Sequence, residues 1–438
     1  MFLQKQSIFD ARTGCNRYRF KYIKKCSCSK KDSKSKDDNA KKNIKRKYNS
    51  RKSIKVVSKL SIPEDLMFDI LGFVPVHCLL NSARFVCKSW ATTIHSSLFA
   101  EACLHRARSK PGFYVEHFDS SSSYFLDIIN DVNGRFEFER TDLGIPRRMG
   151  MIVSSCDGIL LLRHDYRDLF VVNPILKCWL KIPPISISME CKVTMARVPH
   201  TTMFKLFFID VLEVLGAFWY VFYVLRIGAD NSLKEITRKE SPHEKQYYLF
   251  KKPLYGGGND VYYITTKGIT VVDVDKEIIV GEYPLPPVKM CNYLQPIWLL
   301  MGDNLSCIAR KGYFDHNTYK IYILDFDLGK WSLYHKTRPL DYALPSGHEI
   351  RGEAICLWIN DQIIFQVFIR EKEDIPSWKR SINFSKKKGN IYADDKSIHF
   401  SYNVKTRRLK KIEGITEEGV FRVWLHTNSL VSLPNIST

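Results

Sequence analysis

Residues 158–183 set the plan for most of the chain. They read Gly158-Ile159-Leu160-Leu161-Leu162, then Leu169-Phe170-Val171-Val172-Asn173-Pro174, then Cys178-Trp179-Leu180-Lys181-Ile182-Pro183. Two apolar runs parted by a polar turn, followed by a Trp-bearing run, are the signature of neighbouring strands in one sheet. The plan returns at 305–310, 319–325 and Lys330-Trp331-Ser332-Leu333. Looser copies occupy 205–211 with 220–227, 261–265 with 270–275, 355–359 with 363–369, and 390–393 with 398–403. Runs 124–129 and 136–140 flank Asn133-Gly134, a hairpin signal of the type I′ kind. A small sheet recurring every ~40–55 residues must stack its faces on its neighbours, as propeller blades do. Residues 106–438 are therefore expected to form an all-β propeller of six or seven blades; a β-sandwich or two smaller barrels are the alternatives.

Ahead of that region the period changes. Residues 62–99 open with Ile62-Pro63-Glu64-Asp65-Leu66 and continue through Val86-Cys87-Lys88-Ser89-Trp90 to Leu98-Phe99. Ser61 and Glu64 have capping-box spacing, and Pro63 falls in a first turn where its missing N–H is not needed. Leu66, Met67, Ile70, Leu71 and Val74 then recur at helical spacing until Gly72 and Pro75 end the run. A second helix starts near Val76 with Leu79, Leu80 and Ala83 on one face. A third carries Val86, Cys87, Trp90, Ala91 and Ile94. Three helices in fewer than ~50 residues make a marginal core, so this small all-α unit, 59–105, is expected to need a partner surface.

The formal charge of +21 is concentrated at the front of the 438-residue chain. Residues 1–58 hold 19 Lys/Arg against four Asp and show no sustained hydrophobic period, so they are expected to be a disordered basic tail. Lys41, Lys42, Lys45, Arg46 and Lys47 form a cluster with the composition of a nuclear-import signal; a merely solvated tail is the competing reading. Basicity in a tail rather than on a folded face disfavours a dedicated nucleic-acid domain, although a nuclear nucleic-acid-binding protein acting through this tail is the alternative function. The twelve cysteines contain no Cys-x-x-Cys pair, which argues against a zinc ribbon or disulfide framework and favours a reducing compartment, nucleus or cytoplasm. The apolar stretch 203–227 is interrupted by Lys205, Asp210 and Glu213 and reads as two buried strands rather than a membrane span. Gly256-Gly257-Gly258 lacks a following Lys-Ser/Thr and reads as a turn before a strand. No metal-ligand spacing, nucleophile elbow or placed carboxylate pair is present, so neither a catalytic site nor a cofactor is expected.

Residues 62–99 resemble an F-box, whose pattern begins Leu-Pro-x-Asp-Leu and ends Val-Cys-Lys-x-Trp; here Ile62 stands for the first Leu. Ser155-Cys156-Asp157-Gly158-Ile159-Leu160-Leu161 and Val172-Asn173-Pro174 with Trp179 are similar to segments of the kelch-like F-box-associated domain of the large plant F-box family. The resemblance implies that Ile62, Pro63, Leu66, Ile70, Leu71, Leu79, Leu80, Val86, Cys87 and Trp90 build the F-box core or face a Skp-type adaptor. It implies a substrate-recognition subunit of an SCF-type cullin–RING E3 ubiquitin ligase, linked through the adaptor to cullin and RING subunits. The β-domain would hold the protein to be ubiquitylated. Asn81-Ser82-Ala83 replaces a more basic stretch of the family pattern.

Overall fold

The computed structural model describes strands Lys5–Phe9 and Asn16–Phe20 and residues 63–433, apart from 109–111, 118–122, 133–134, 142–148, 165–167, 189–190, 242–250, 289–295, 311–317, 372–395, 414 and 416–420. Ile62 and the basic cluster 41–47 lie outside the described residues. Within 1–58 the described residues are two short strands. Strands β1 (Lys5–Phe9) and β2 (Asn16–Phe20) pair antiparallel, with Lys5 opposite Phe20 and Phe9 opposite Asn16. Alternating Tyr18 and Phe20 with Arg17 and Arg19 supplies the period-two pattern that the dense charge obscures.

Four helices follow: α1 (Glu64–Gly72), α2 (Val76–Asn81), α3 (Lys88–His95) and α4 (Ser97–Arg108), with a 3₁₀ turn at Ala83–Phe85. Pro63 occupies the N-cap of α1 with extended backbone, and Glu64 and Asp65 put negative charge in its first turn. Cys87 caps α3, its Sγ accepting the Trp90 N–H at 3.5 Å. The fourth helix goes beyond the three expected. Ser96 accepts the Phe99 N–H at 3.2 Å, and Phe99, Ala100 and Cys103 are buried at helical spacing.

The remainder is a six-bladed β-propeller, every blade a four-stranded antiparallel sheet. Blade 1 combines β3 (Gly112–His117), β4 (Tyr124–Val132) and β5 (Arg135–Thr141) with the last strand of the chain. Blade 2 holds β6 (Met151–Cys156), β7 (Ile159–His164), β8 (Asp168–Asn173) and β9 (Cys178–Lys181). Blade 3 holds β10 (Lys192–Arg197), β11 (Phe204–Val214), β12 (Ala217–Arg226) and β13 (Lys234–Glu240). Blade 4 holds β14 (Leu254–Tyr255), β15 (Asp260–Ile264), β16 (Ile269–Asp273) and β17 (Ile279–Tyr283). Blade 5 holds β18 (Ile297–Met301), β19 (Asn304–Arg310), β20 (Tyr319–Asp325) and β21 (Lys330–Lys336). Blade 6 holds β22 (His348–Ile359), β23 (Gln362–Glu371), β24 (Lys396–Asn403) and β25 (Arg408–Lys411).

Strand β26 (Phe421–His426) returns to pair with β3, Phe421 opposite His117 and His426 opposite Gly112. Inner strands β26, β6, β10, β14, β18 and β22 touch in that order, and β22 touches β26, so the ring is closed. Closure leaves each blade's apolar faces covered by its neighbours. Phe207, Phe222 and Tyr263, for instance, share one buried cluster across blades 3 and 4. Lys205 pins the same pair of blades, its ammonium reaching Val274 O at 2.8 Å, Asp275 O at 2.9 Å and Glu277 at 2.7 Å. The apolar stretch 203–227 is the β11–β12 hairpin; among the described residues no helix is long and apolar enough to cross a membrane.

Candidate functional site

The helical unit divides its apolar residues into two sets. Met67, Leu71, Leu79, Ala83, Ile94, Phe99 and Cys103 form its core, with Phe68 edge-on to Phe99 at 5.1 Å between centroids. Leu66 and Ile70 on the outer side of α1 and Phe73 at its C-cap recur at i, i+4 and i+7, while Phe85 ends the 3₁₀ turn and Val86 follows it. These five side chains are between 43% and 80% exposed. That concentration of large apolar groups on so small a unit is the mark of a docking face rather than of scattered surface residues. Alongside it lies a groove of about 690 Å³ lined by Glu64, Asp65, Phe68, Asp69, Thr92 and Leu98.

The residues named from the sequence are thereby separated. Pro63, Leu66, Ile70, Val86 and Cys87 are exposed. Leu71 and Leu79 are fully buried core residues. Leu80 and Trp90 are half-buried at the margin of that core. Phe73 and Phe85 belong with the exposed set but escape sequence reading. Phe73 is the C-cap beyond Gly72, where a helix has already ended, and Phe85 sits in a 3₁₀ turn with no α-helical period.

The inner face of the helical unit is bound to the propeller. Leu430, from the segment after β26, and Leu176, from the β8–β9 turn, both join the helical core. Leu104 of α4 packs with Cys156, Ile159 and Val431 in the cluster shared by blades 2 and 3. Glu101 of α4 meets buried Arg197 at 3.4 Å, and Arg197 meets Asp157 at 3.6 Å. Burying that guanidinium is tolerable because both carboxylates and the Thr201 carbonyl, 2.6 Å from Nε, surround it.

The two motifs at 155–161 and 172–174 meet at this junction. Asn173 is fully buried; its Nδ2 donates to Ser429 O at 3.1 Å and Val431 O at 2.8 Å, while its Oδ1 accepts from Ile175 N and Leu176 N at 2.9 and 3.0 Å. One amide thus holds both the β8–β9 turn and the C-terminal segment against the helices. Gly158 has φ +78°, and a Cβ there would strike Ser429 Cβ and the Thr427 carbonyl. Ser155 and His426 share a 3.1 Å hydrogen bond beside them.

The turns after each inner strand and the β8–β9 type turns emerge on this helical side. A cavity of about 910 Å³ opens there at the propeller axis, lined by Asp157, Tyr255, Asp303, Asp361 and Leu425, with the 256–258 glycine run forming the expected turn. Among the described residues no cluster of His, Cys, Asp or Glu is arranged to hold a metal ion.

A family model described as F-box domain matches residues 60–101, the span that carries the exposed apolar face. An F-box joined to a six-bladed propeller fits a substrate-recognition F-box protein in general terms. No curated protein matches the chain. Similar solved structures include an oligogalacturonate lyase in complex with manganese, at 12% identity over 70% of this chain and 81% of that one with a TM-score of 0.34. The WD40 domain of SCAP from fission yeast is similar at 10% identity over 74% and 97%, TM-score 0.29. Apo AztD from Citrobacter koseri is similar at 8% identity over 73% and 99%, TM-score 0.33.

Proposed function

We propose that this chain is the substrate-recognition subunit of an SCF-type cullin–RING E3 ubiquitin ligase, its F-box seated on a Skp-type adaptor and its kelch-like propeller holding the protein to be ubiquitylated. The observation that carries this reading is the exposed set Leu66, Ile70, Phe73, Phe85 and Val86 within the matched span. Covering it with a partner removes apolar surface from water, and clustered anchors of this kind contribute most of an interface's energy. The chain contributes proximity rather than a catalytic group: a lysine of the bound target is held near ubiquitin carried by the rest of the complex, at raised effective concentration. The site of action is the nucleus or the cytoplasm, and the basic cluster 41–47 is the candidate import signal.

The test is size-exclusion chromatography of the full chain with purified Skp-type adaptor and cullin. Co-elution of all three, lost in Leu66→Asp, supports the assignment. A full chain that elutes alone in the presence of adaptor overturns it.

A further inference from the structure

The helical unit is polarised in charge as well as in hydropathy. Its acidic side chains gather in α1, with Glu64 and Asp65 in the first turn and Asp69 one turn on. From residue 70 to residue 100 the sequence contains no Asp or Glu, and Arg84 and Lys88 fall within that span. These two cations bracket Phe85 and Val86, which belong to the exposed apolar set.

Both occupy places that the folded chain alone does not explain. The Arg84 guanidinium lies over the Phe85 ring, 4.7 Å from its centre. Its Nε is closed off from water and has no hydrogen-bond partner. A buried N–H without an acceptor is destabilising, and a charged one more so. Lys88 opens α3, the end of a helix where free backbone N–H groups already concentrate positive charge, and no acidic residue lies in that first turn. Local rules favour an anion there, and a lysine takes its place. Among the described residues neither Arg84 nor Lys88 forms an ion pair. Departures from local preference, at two neighbouring positions and in the same electrical sense, point to a partner that completes them.

We propose that Arg84 and Lys88 form the polar part of the adaptor-docking face and receive an acidic segment of the Skp-type adaptor, with Arg84 Nε donating to a carboxylate oxygen while Phe85 and Val86 pack against apolar groups beside it. The segment is acidic because the whole 70–100 span offers cations and no anion. It belongs to the adaptor because the two cations flank part of the exposed apolar face inside the matched span. Guanidinium and carboxylate match in geometry as well as charge, so this contact sets the orientation of the adaptor on the face. The proposal rests on the ligase reading and adds the chemistry of the partner's side.

Titration of purified Skp-type adaptor into the full chain and into Arg84→Met and Lys88→Glu, at about 50 and 500 mM salt, tests it. Lys88→Glu puts the favoured charge at the start of α3, so the free variant should unfold at the same denaturant concentration as wild type or a higher one. It should nonetheless bind the adaptor about tenfold or more weakly, as should Arg84→Met. Wild-type affinity should fall as salt rises, and Lys88→Glu should lose or reverse that dependence. Carbodiimide coupling, which joins a carboxylate to an amine, should link Lys88 to an Asp or Glu of the adaptor in the wild-type complex. Wild-type affinity in either variant, or a wild-type complex in which Lys88 forms no such link, overturns the proposal and leaves the ligase reading standing. A folded wild type that does not bind the adaptor removes both.

Discussion

Asn173 connects sequence motif to architecture at the scale of one side chain. Its fully buried carboxamide satisfies two backbone N–H groups and two backbone carbonyls, the carbonyls themselves buried. Asn173→Ala leaves those groups unpaired and should destabilise the chain by about 3–5 kcal/mol in chemical denaturation. The motif was legible in the sequence, but its role was not, because the groups it binds at 429 and 431 lie more than 250 residues away. His426 gives a pH-dependent counterpart. It is enclosed by Tyr114 and Phe125, with ring centroids at 5.8 and 5.5 Å, and burial lowers its pKa to about 3. The unfolded chain protonates this ring near pH 6.5 and the folded chain does not, so stability falls as pH drops from about 6.5 toward 3. Each pH unit in that window costs about 1.4 kcal/mol. Denaturation across that range should show a slope smaller by this amount in His426→Phe; identical slopes would remove His426 as the acid-sensitive group.

Among the elements, the helices and the second and third strands of most blades are visible as periods of 3.6 and two. Strands β7, β8, β19, β20, β11 and β12 coincide with apolar runs evident in the sequence. The inner strands are less visible. Strand β14 is only Leu254–Tyr255, and β6 mixes Ser154 and Ser155 among apolar residues. An inner strand draws its environment from two neighbouring blades, which no local window contains. The exposed apolar face of the helical unit shows the same limit, since helical period identifies Leu66 and Ile70 but not Phe73 or Phe85. Two substitutions separate docking from packing here. Phe85→Asp, at an exposed position, should leave the unfolding midpoint within about 0.5 kcal/mol of wild type while weakening adaptor capture at least tenfold. Trp90→Ala removes a half-buried ring from the core margin and should cost about 2–3 kcal/mol in stability as well as weakening capture. Equal stability losses in the two variants would mean that Phe85 is a core residue.

Across the whole molecule, the C-terminal residues do two jobs in sequence. Strand β26 closes the ring on β3, and residues 427–433 then run between propeller and helices, placing Leu430 in one core and Val431 in the other. The helices are consequently held on one end of the propeller. Truncation after residue 426 retains ring closure but removes Leu430, Val431 and both carbonyls bound by Asn173. Limited proteolysis of that variant should cut between α4 and β3 much faster than in the full chain; unchanged cleavage would show that Glu101, Leu104 and Arg197 suffice for docking. The central claim is that the exposed α1 and 3₁₀ face seats a Skp-type adaptor. Calorimetric titration of purified adaptor into the full chain and into Leu66→Asp/Phe73→Asp tests it most directly. One-to-one binding by the wild type, weakened about 100-fold or more in the double variant with helical content preserved, is predicted. Equal affinity of the two chains for the adaptor, or no heat of binding from a folded wild type, would contradict it.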